Sequence, residues 1–370
     1  MTDHTAVGAP PEPLDGATAA ALAGRVVGAV GWETSEEADV VLLCARATAH
    51  RVAAGSADDA PVLRRQLARL WELRITRHAT PGWGLSYAWD SFGKGDENPA
   101  DTVYAYTTAA AALAFLDGHA VTGDAACLDA AVGACETLLT ATCCWRDGPF
   151  LSVWYSDRPG DHRPEYQTHN VNALALGALG RTARTTGTDR FADERTAMVA
   201  HLLHSQGRDL GAQRLADGMA DVAPSNWRYR SGASRPNDLM HECFIVDGLL
   251  ESGDPAARAA AVRALGGIWR THFQGSGRPR DGAYTHGSLG WGVGGGVFAL
   301  ASLPSFRTEA GRAAAVLAGT VDRTGRSSLA PGQPRAQAWF ALGLARYAAQ
   351  AAAATTVLPP DGTGDRGTWA

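Results

Sequence analysis

Runs of basic residues are missing from this chain of 370 residues, which removes one class of function at once. Lys94 is the only lysine; the remaining basic charge is arginine, and the formal net charge is −5. A nucleic-acid surface needs clustered cations to displace counterions from phosphates, so nucleic acid is not expected as a partner. Long apolar runs are missing as well. No stretch reaches the roughly 20 apolar residues that cross a bilayer, so no membrane partner is expected. The polar, Pro-rich beginning (Met1 to Asp15) lacks the basic-then-apolar pattern of a secretory leader. Cysteine is scarce. Cys44, Cys127, Cys135, Cys143, Cys144 and Cys243 have no repeated C-x-x-C spacing and mostly fall within apolar helical stretches. They read as reduced core residues, and the expected location is cytoplasmic. Alternating β-branched runs are nearly absent, which argues against a sheet of any size.

What the chain does have is a rhythm. Apolar residues recur at helical spacing in twelve windows, near 15–30, 37–54, 59–76, 103–120, 124–141, 170–185, 190–206, 238–251, 255–272, 288–302, 308–320 and 335–352. Short turns (Val121 to Asp124, Thr186 to Asp189, Ser252 to Pro255) alternate with long loops rich in Trp, Tyr, His, Asn and Asp. The long loops run from Trp83 to Asp101, Trp145 to Asn170, Pro224 to Asn237 and Arg278 to His286. Such a repeat puts every long loop on one side. The expected fold is all-α, an (α/α)6 toroid of six helical hairpins. It is expected to fill 14–354 as one catalytic domain, with polar tails at 1–13 and 355–370.

Helices entered from the long loops, starting near 37, 103, 170, 238, 288 and 335, are the expected inner ring. Stretches 103–116, 171–179 and 289–300 are almost uncharged, as buried helices are, whereas 191–206 and 255–272 carry charge on one face. Asp101 or Thr102 suits a cap for a helix at Val103, and Asn237 or Asp238 for one at Leu239; Asp254 precedes Pro255 at a first helical position. The inner N-termini then point into a bowl, where their free N–H groups and positive dipole ends favour an anion.

Four segments carry candidate chemistry. Trp83, Tyr87 and Trp89 suit either a wall for sugar rings or a plug at the barrel end. Asp90 among these aromatics needs a partner or a function, and Lys94 is one candidate partner. Tyr155 precedes the second cluster, in which His169, Asn170 and Asn172 open an inner helix. The third contains Trp227, Tyr229, Asn237, Asp238, His241 and Glu242. Asp238 and His241 stand three apart on a helix, so the carboxylate can fix the imidazole tautomer of a general base. The second His of a zinc-protease helix is absent. Tyr284 and His286 make the fourth cluster, followed by glycines that lack the lysine of a phosphate loop and instead suit close helix packing. No spacing requires a metal, and no cofactor is expected.

The ordered series Trp83-Gly84 to Trp89-Asp90, Tyr106-Thr107-Thr108, Asn170-Val171-Asn172-Ala173, Asn226-Trp227-Arg228-Tyr229 and Asn237 to His241 resembles (α/α)-toroid proteins of polysaccharide biosynthesis and uronate processing. The likeness extends to the C-terminal domains of glucuronyl C5-epimerases and covers roughly Trp83 to Leu300. Alginate-type lyases of the wider group use an Asn-His pair followed by a Tyr, and His169-Asn170 with Tyr229 is similar in kind, with the pair reversed. The zinc site of LanC-type cyclases and the acidic motif of terpene cyclases are absent.

The groups available suit removal of a proton next to a carbonyl or carboxylate, with amides and helix ends holding the enolate charge. The expectation is a cofactor-independent lyase, epimerase or cyclase acting on a sugar acid, oligosaccharide or specialised metabolite. His241, Tyr229, His169, Asp238 and Asp90 would be catalytic. A glycoside hydrolase using Asp90 with Asp238 or Glu242 is the second expectation. A non-catalytic carbohydrate- or metabolite-binding protein is the third.

Overall fold

Alanine-rich faces let helices approach closely, and here they close a circle. The computed structural model describes residues 12–142, 144–207, 226–230, 237–280 and 289–356. Twelve α-helices lie in these residues: α1 (Gly16–Val30), α2 (Ala38–Ala53), α3 (Ala60–Glu72), α4 (Ala105–Thr122), α5 (Ala125–Thr140), α6 (His169–Thr186), α7 (Ala192–Ser205), α8 (Leu239–Glu251), α9 (Pro255–His272), α10 (Leu289–Leu300), α11 (Arg307–Ala318) and α12 (Pro334–Thr356). The even-numbered helices pack in sequence from α2 to α12, and α12 returns to α2. The odd-numbered helices lie outside them; α1, first in the chain, is the outer partner of α12. The fold is an (α/α)6 toroid. The Tyr347 hydroxyl on α12 donates to the Leu14 carbonyl at 2.6 Å, tying the chain's two ends together.

Burial follows this division. Every residue of α4 from Ala105 to Gly118 is buried, whereas α3 buries Leu63, Gln66, Leu67 and Leu70 alone. Tight turns are possible because Gly123, Gly187 and Gly253 take positive φ of 70°, 66° and 77°. The α10 glycines serve packing: a Cβ on Gly294 would lie 2.6 Å from the Trp339 backbone of α12. Among the described residues the sheet content is one hairpin, β1 (Trp145–Asp147) against β2 (Phe150–Ser152), within the α5–α6 loop.

Two expected helix boundaries shift for a hydrogen-bonding reason. Helix α4 begins at Ala105 with Tyr104 as N-cap, rather than at Val103. The Tyr104 and Ala105 N–H groups donate to the carbonyls of Trp83 and Tyr155, so no side-chain cap is used. Asp101 pairs instead with Arg77 and Arg158. Helix α3 ends at Glu72, short of 76, because Ile75 pairs with Gly82. Asp238 and Asp254 do cap α8 and α9, accepting from His241 N–H at 3.0 Å and Ala257 N–H at 2.9 Å.

A repeated clamp fixes the long loops to the ring. The fourth residue of α4, α6, α8 and α12 accepts an N–H from the loop that precedes its helix. Thr108 takes Trp83 N–H at 3.0 Å, Asn172 takes Val153 at 2.8 Å, Glu242 takes Trp227 at 3.1 Å and Gln337 takes Ser327 at 2.9 Å. The Trp83 and Trp227 indoles, fully buried, donate to the Leu70 and Leu202 carbonyls near the ends of α3 and α7, at 2.8 Å each. A helix's last carbonyls often lack internal partners, so the Trp83 indole both fills space and caps α3, while the Trp227 indole is a second donor to a carbonyl that already accepts Gln206 N–H at 3.1 Å.

Candidate functional site

Helix periodicity brings successive inner-facing positions into layers down the lumen. The top layer lies at the N-terminal ends, where the long loops meet: Asp39 of α2, Tyr106 of α4, His241 of α8, Trp291 of α10 and Arg335 of α12. Arg335 Nε forms an ion pair with Asp39 Oδ2 at 2.7 Å, and its guanidinium stands over the Tyr106 and Trp291 rings, 5.4 and 4.5 Å from their centroids. Burial opposes charge on this guanidinium, yet Asp39 and Tyr106 more than compensate and hold its pKa above the ordinary value. Aromatic rings then form a continuous wall. Tyr106 contacts Phe244 at 4.9 Å, Phe244 contacts His241 at 6.0 Å, and Tyr229 meets His241 edge-on at 4.8 Å.

His241 is the best-oriented acid–base group in this wall. Its Nδ1 lies 2.6 Å from Asp238 Oδ2, while Asp238 Oδ1 caps the helix. A carboxylate only accepts, so Nδ1 carries the hydrogen and Nε2 is left with the lone pair in the neutral ring. The side chain is 22% exposed, enough to meet a ligand. Burial pushes the Tyr229 phenol up to about 12 and Tyr155 well above its ordinary value; their hydroxyls are hydrogen-bonded to each other. Both phenols are therefore proton donors near neutrality. Trp89 packs on Tyr155 at 6.0 Å, and Tyr87 stands 47% exposed beside Asp39 and Arg335.

The floor is closed. Phe244 meets Trp339 at 5.4 Å, and Trp339 meets Phe298 at 6.1 Å. Below them Arg46 of α2 bonds Asp117 of α4 at 2.9 Å and Asp247 of α8 at 2.8 Å. Since α2 and α8 lie on opposite sides of the ring, this pair spans the lumen. At the far end the thirteenth residues of five inner helices form a largely charged ring: His50, Asp117, Arg181, Glu251 and Arg346.

Several expected site residues have other employment. Asp90 accepts N–H bonds from Phe92, Lys94 and Gly95, at 3.3, 2.8 and 2.6 Å, and these hold its carboxyl below the usual range. It organises its own loop. Lys94 Nζ reaches Asp161 rather than Asp90, at 2.5 Å, and Asn98 and Ser156 complete that buried carboxylate. Asn172, Glu242, Trp83 and Trp227 belong to the clamps described above. Asn237 ties the Arg228 carbonyl at 3.1 Å and hydrogen-bonds Glu242. His169 turns away from His241: its Nδ1 donates to the Arg228 carbonyl at 2.8 Å and its ring lies 5.8 Å from His201 of α7. Asn170, second residue of α6, is buried at the same end of the ring. Tyr284 and His286 lie outside the described residues. Sequence reasoning did not select Asp39, Tyr106, Phe244, Trp291, Arg335 and Trp339. Their shared signal is position: each is the second, third or sixth residue of an inner helix.

The same architecture recurs in solved structures. An α-mannanase of glycoside hydrolase family 76 from Bacteroides thetaiotaomicron aligns with a TM-score of 0.61 at 11% identity, over 84% of this chain and 85% of the other. The cellobiose 2-epimerase of Bacillus thermoamylovorans aligns at 0.55 and 14% identity, over 83% and 86%. An inactive double-aspartate variant of a Salegentibacter α-1,6-mannanase, bound to α-1,6-mannotriose, aligns at 0.59 and 11% identity, over 90% and 99%. At these identities the likeness is one of fold. No family model matches the sequence, and no curated protein matches it. The toroid part of the sequence resemblance thus stands, while the glucuronyl C5-epimerase likeness has only its short motifs behind it.

Proposed function

We propose that this chain is a carbohydrate-active isomerase, an epimerase that removes the proton beside the carbonyl of an open-chain sugar at the reducing end of a short saccharide. The observation that carries the reading is the Asp238–His241–Tyr229 constellation in an aromatic bowl. His241 Nε2 takes the proton from carbon; the electron pair moves to the carbonyl oxygen, giving an enediolate. A neutral phenol, Tyr229 or Tyr155, hydrogen-bonds that oxygen; rotation of the enediolate turns its other face to the His241 imidazolium, which returns a proton to carbon and gives the epimer. Trp291, Tyr87 and Trp89 suit stacking against sugar rings.

Two features favour this outcome over the alternatives. Arg335 is already neutralised by Asp39, so the bowl suits a neutral sugar better than a uronate, which weighs against uronate elimination. A hydrolase needs two carboxylates facing the scissile bond. Asp90, Glu242 and Asp39 are each committed to other partners. The two aspartates exchanged in the inactive mannanase variant are consecutive; here the adjacent pair Asp58-Asp59 precedes the outer helix α3.

Cellobiose and mannobiose incubated in D2O provide the test. Wild type is expected to place deuterium at C2 of the reducing sugar, read by NMR, and His241→Asn to lower that rate by about 10²–10⁴-fold. Monosaccharide release without exchange at C2 would assign the bowl to hydrolysis instead.

A further inference from the structure

The segment 226–230 lies between the His241 wall and a cavity on its other side. Arg230 pairs with Thr168 in an antiparallel bridge, so the backbone there is extended and successive side chains alternate. Tyr229 faces the bowl. Arg228 and Arg230 line that cavity, of about 340 Å3, between α7, the β1–β2 hairpin and the start of α6, where Arg230 also donates to the Glu165 carbonyl and stands 5.7 Å from the Tyr166 ring centroid. His169 joins the two sides: its N–H donates to the Tyr229 carbonyl at 3.1 Å and its imidazole to that of Arg228.

This cavity has a built polar floor. Gln167 and His201 are 2% and 6% exposed, and Gln167 Nε2 and His201 Nε2 have no hydrogen-bond partner among the described residues. Buried polar groups are ordinarily satisfied, so two orphans at one floor point to a missing ligand. Burial pushes the His201 imidazole down to about 4, which keeps it neutral and able to hydrogen-bond without charge. Trp145 and Phe150 supply apolar walls, with Phe150 4.7 Å from the His204 ring. Among the described residues that line the space, the ionised groups are the guanidiniums of Arg228 and Arg230 and the carboxylate of Asp147. The histidines do not form a metal cage: among the described residues no three His, Cys, Asp or Glu side chains come together as ligands.

We infer a second binding site here, for an anionic ligand of monosaccharide size whose phosphate or carboxylate group is held by Arg228 and Arg230 and whose ring lies between Trp145 and Phe150. The site stands independently of the proposed epimerisation, since none of its residues lines the His241 wall. Phosphate and carboxylate share the recognising chemistry, so both are probed. Calorimetric titration of the full chain with glucose 6-phosphate, glucuronate and glucose is expected to show saturable binding of at least one acid and none of glucose at matched concentrations. The double variant R228Q/R230Q weakens it at least about tenfold, the equivalent of one charge-assisted hydrogen bond. Should that variant fail to fold, Trp145→Leu is expected to weaken the same binding. His241→Asn, which disables the bowl, leaves it intact. Absence of binding by both acids, equal binding of glucose, or loss with His241→Asn but not with the arginine pair would overturn the assignment.

Discussion

Glu242 illustrates how burial decides a side chain's role. It is 1% exposed, and burial pushes its carboxyl up to about 8, against an ordinary 4.5. The unfolded chain releases this proton from about pH 4.5 upward, while the folded chain keeps it until about 8. Stability from this group is therefore full below 4.5 and falls as pH rises between the two values. Glu242→Gln keeps the acceptor for Trp227 N–H and removes the titration. Its Tm is expected to be flatter with pH than wild type and higher at about pH 8. Glu242→Ala is expected to cost about 1–3 kcal/mol by orphaning the Trp227 N–H, read by urea unfolding near pH 5, where the fold still holds the proton. Local spacing made Asp238 and His241 legible as a pair, because three residues along a helix is a fixed distance. Asp39 with Arg335 was not legible, since nothing local joins α2 to α12.

At the scale of elements, the long loops are held by one device used four times, the polar fourth residue of an inner helix. The sequence offered Asn172 and Glu242 as ligand contacts because both lie at bowl-facing helix starts, which is where the clamps also lie. Side-chain direction separates the two roles: the fourth residue turns back to its own incoming loop, and neighbouring positions face the lumen. Asn172→Ala is expected to destabilise the fold by about 1–3 kcal/mol, measured by chemical unfolding, because it orphans the buried Val153 N–H. Close packing of α6 on α8 supplies a second case. A Cβ on Gly248 would fall 2.0 Å from the Ala173 carbonyl oxygen, so Gly248→Ala should push the helices apart and lower Tm by several degrees.

At the scale of the whole molecule, Arg46 is the cross-brace. It bonds helices on opposite sides of the ring and lies 5.1 Å from the Phe298 ring of a third wall. Burial opposes its charge, but Asp247 and Asp117 hold its pKa above the ordinary value. Arg46→Met leaves Asp247 buried without its cation and is expected to cost about 3–5 kcal/mol. Arg46→Met with Asp247→Leu together is expected to recover most of that loss, since an apolar pair of similar volume replaces the ions. Asp117 retains Arg181 at 2.5 Å in either variant.

Periodicity and loop length by themselves determined the twelve helices, their inner and outer assignment and the common side of the long loops, because each follows from local spacing repeated along the chain. Which polar residues face the bowl was decided only by the tertiary structure. Ring closure sets Arg335 against Asp39, turns His169 outward to His201 and assigns Asp90 to its own loop. Those outcomes depend on rotations about helix axes and on contacts between distant segments, and no local pattern encodes them.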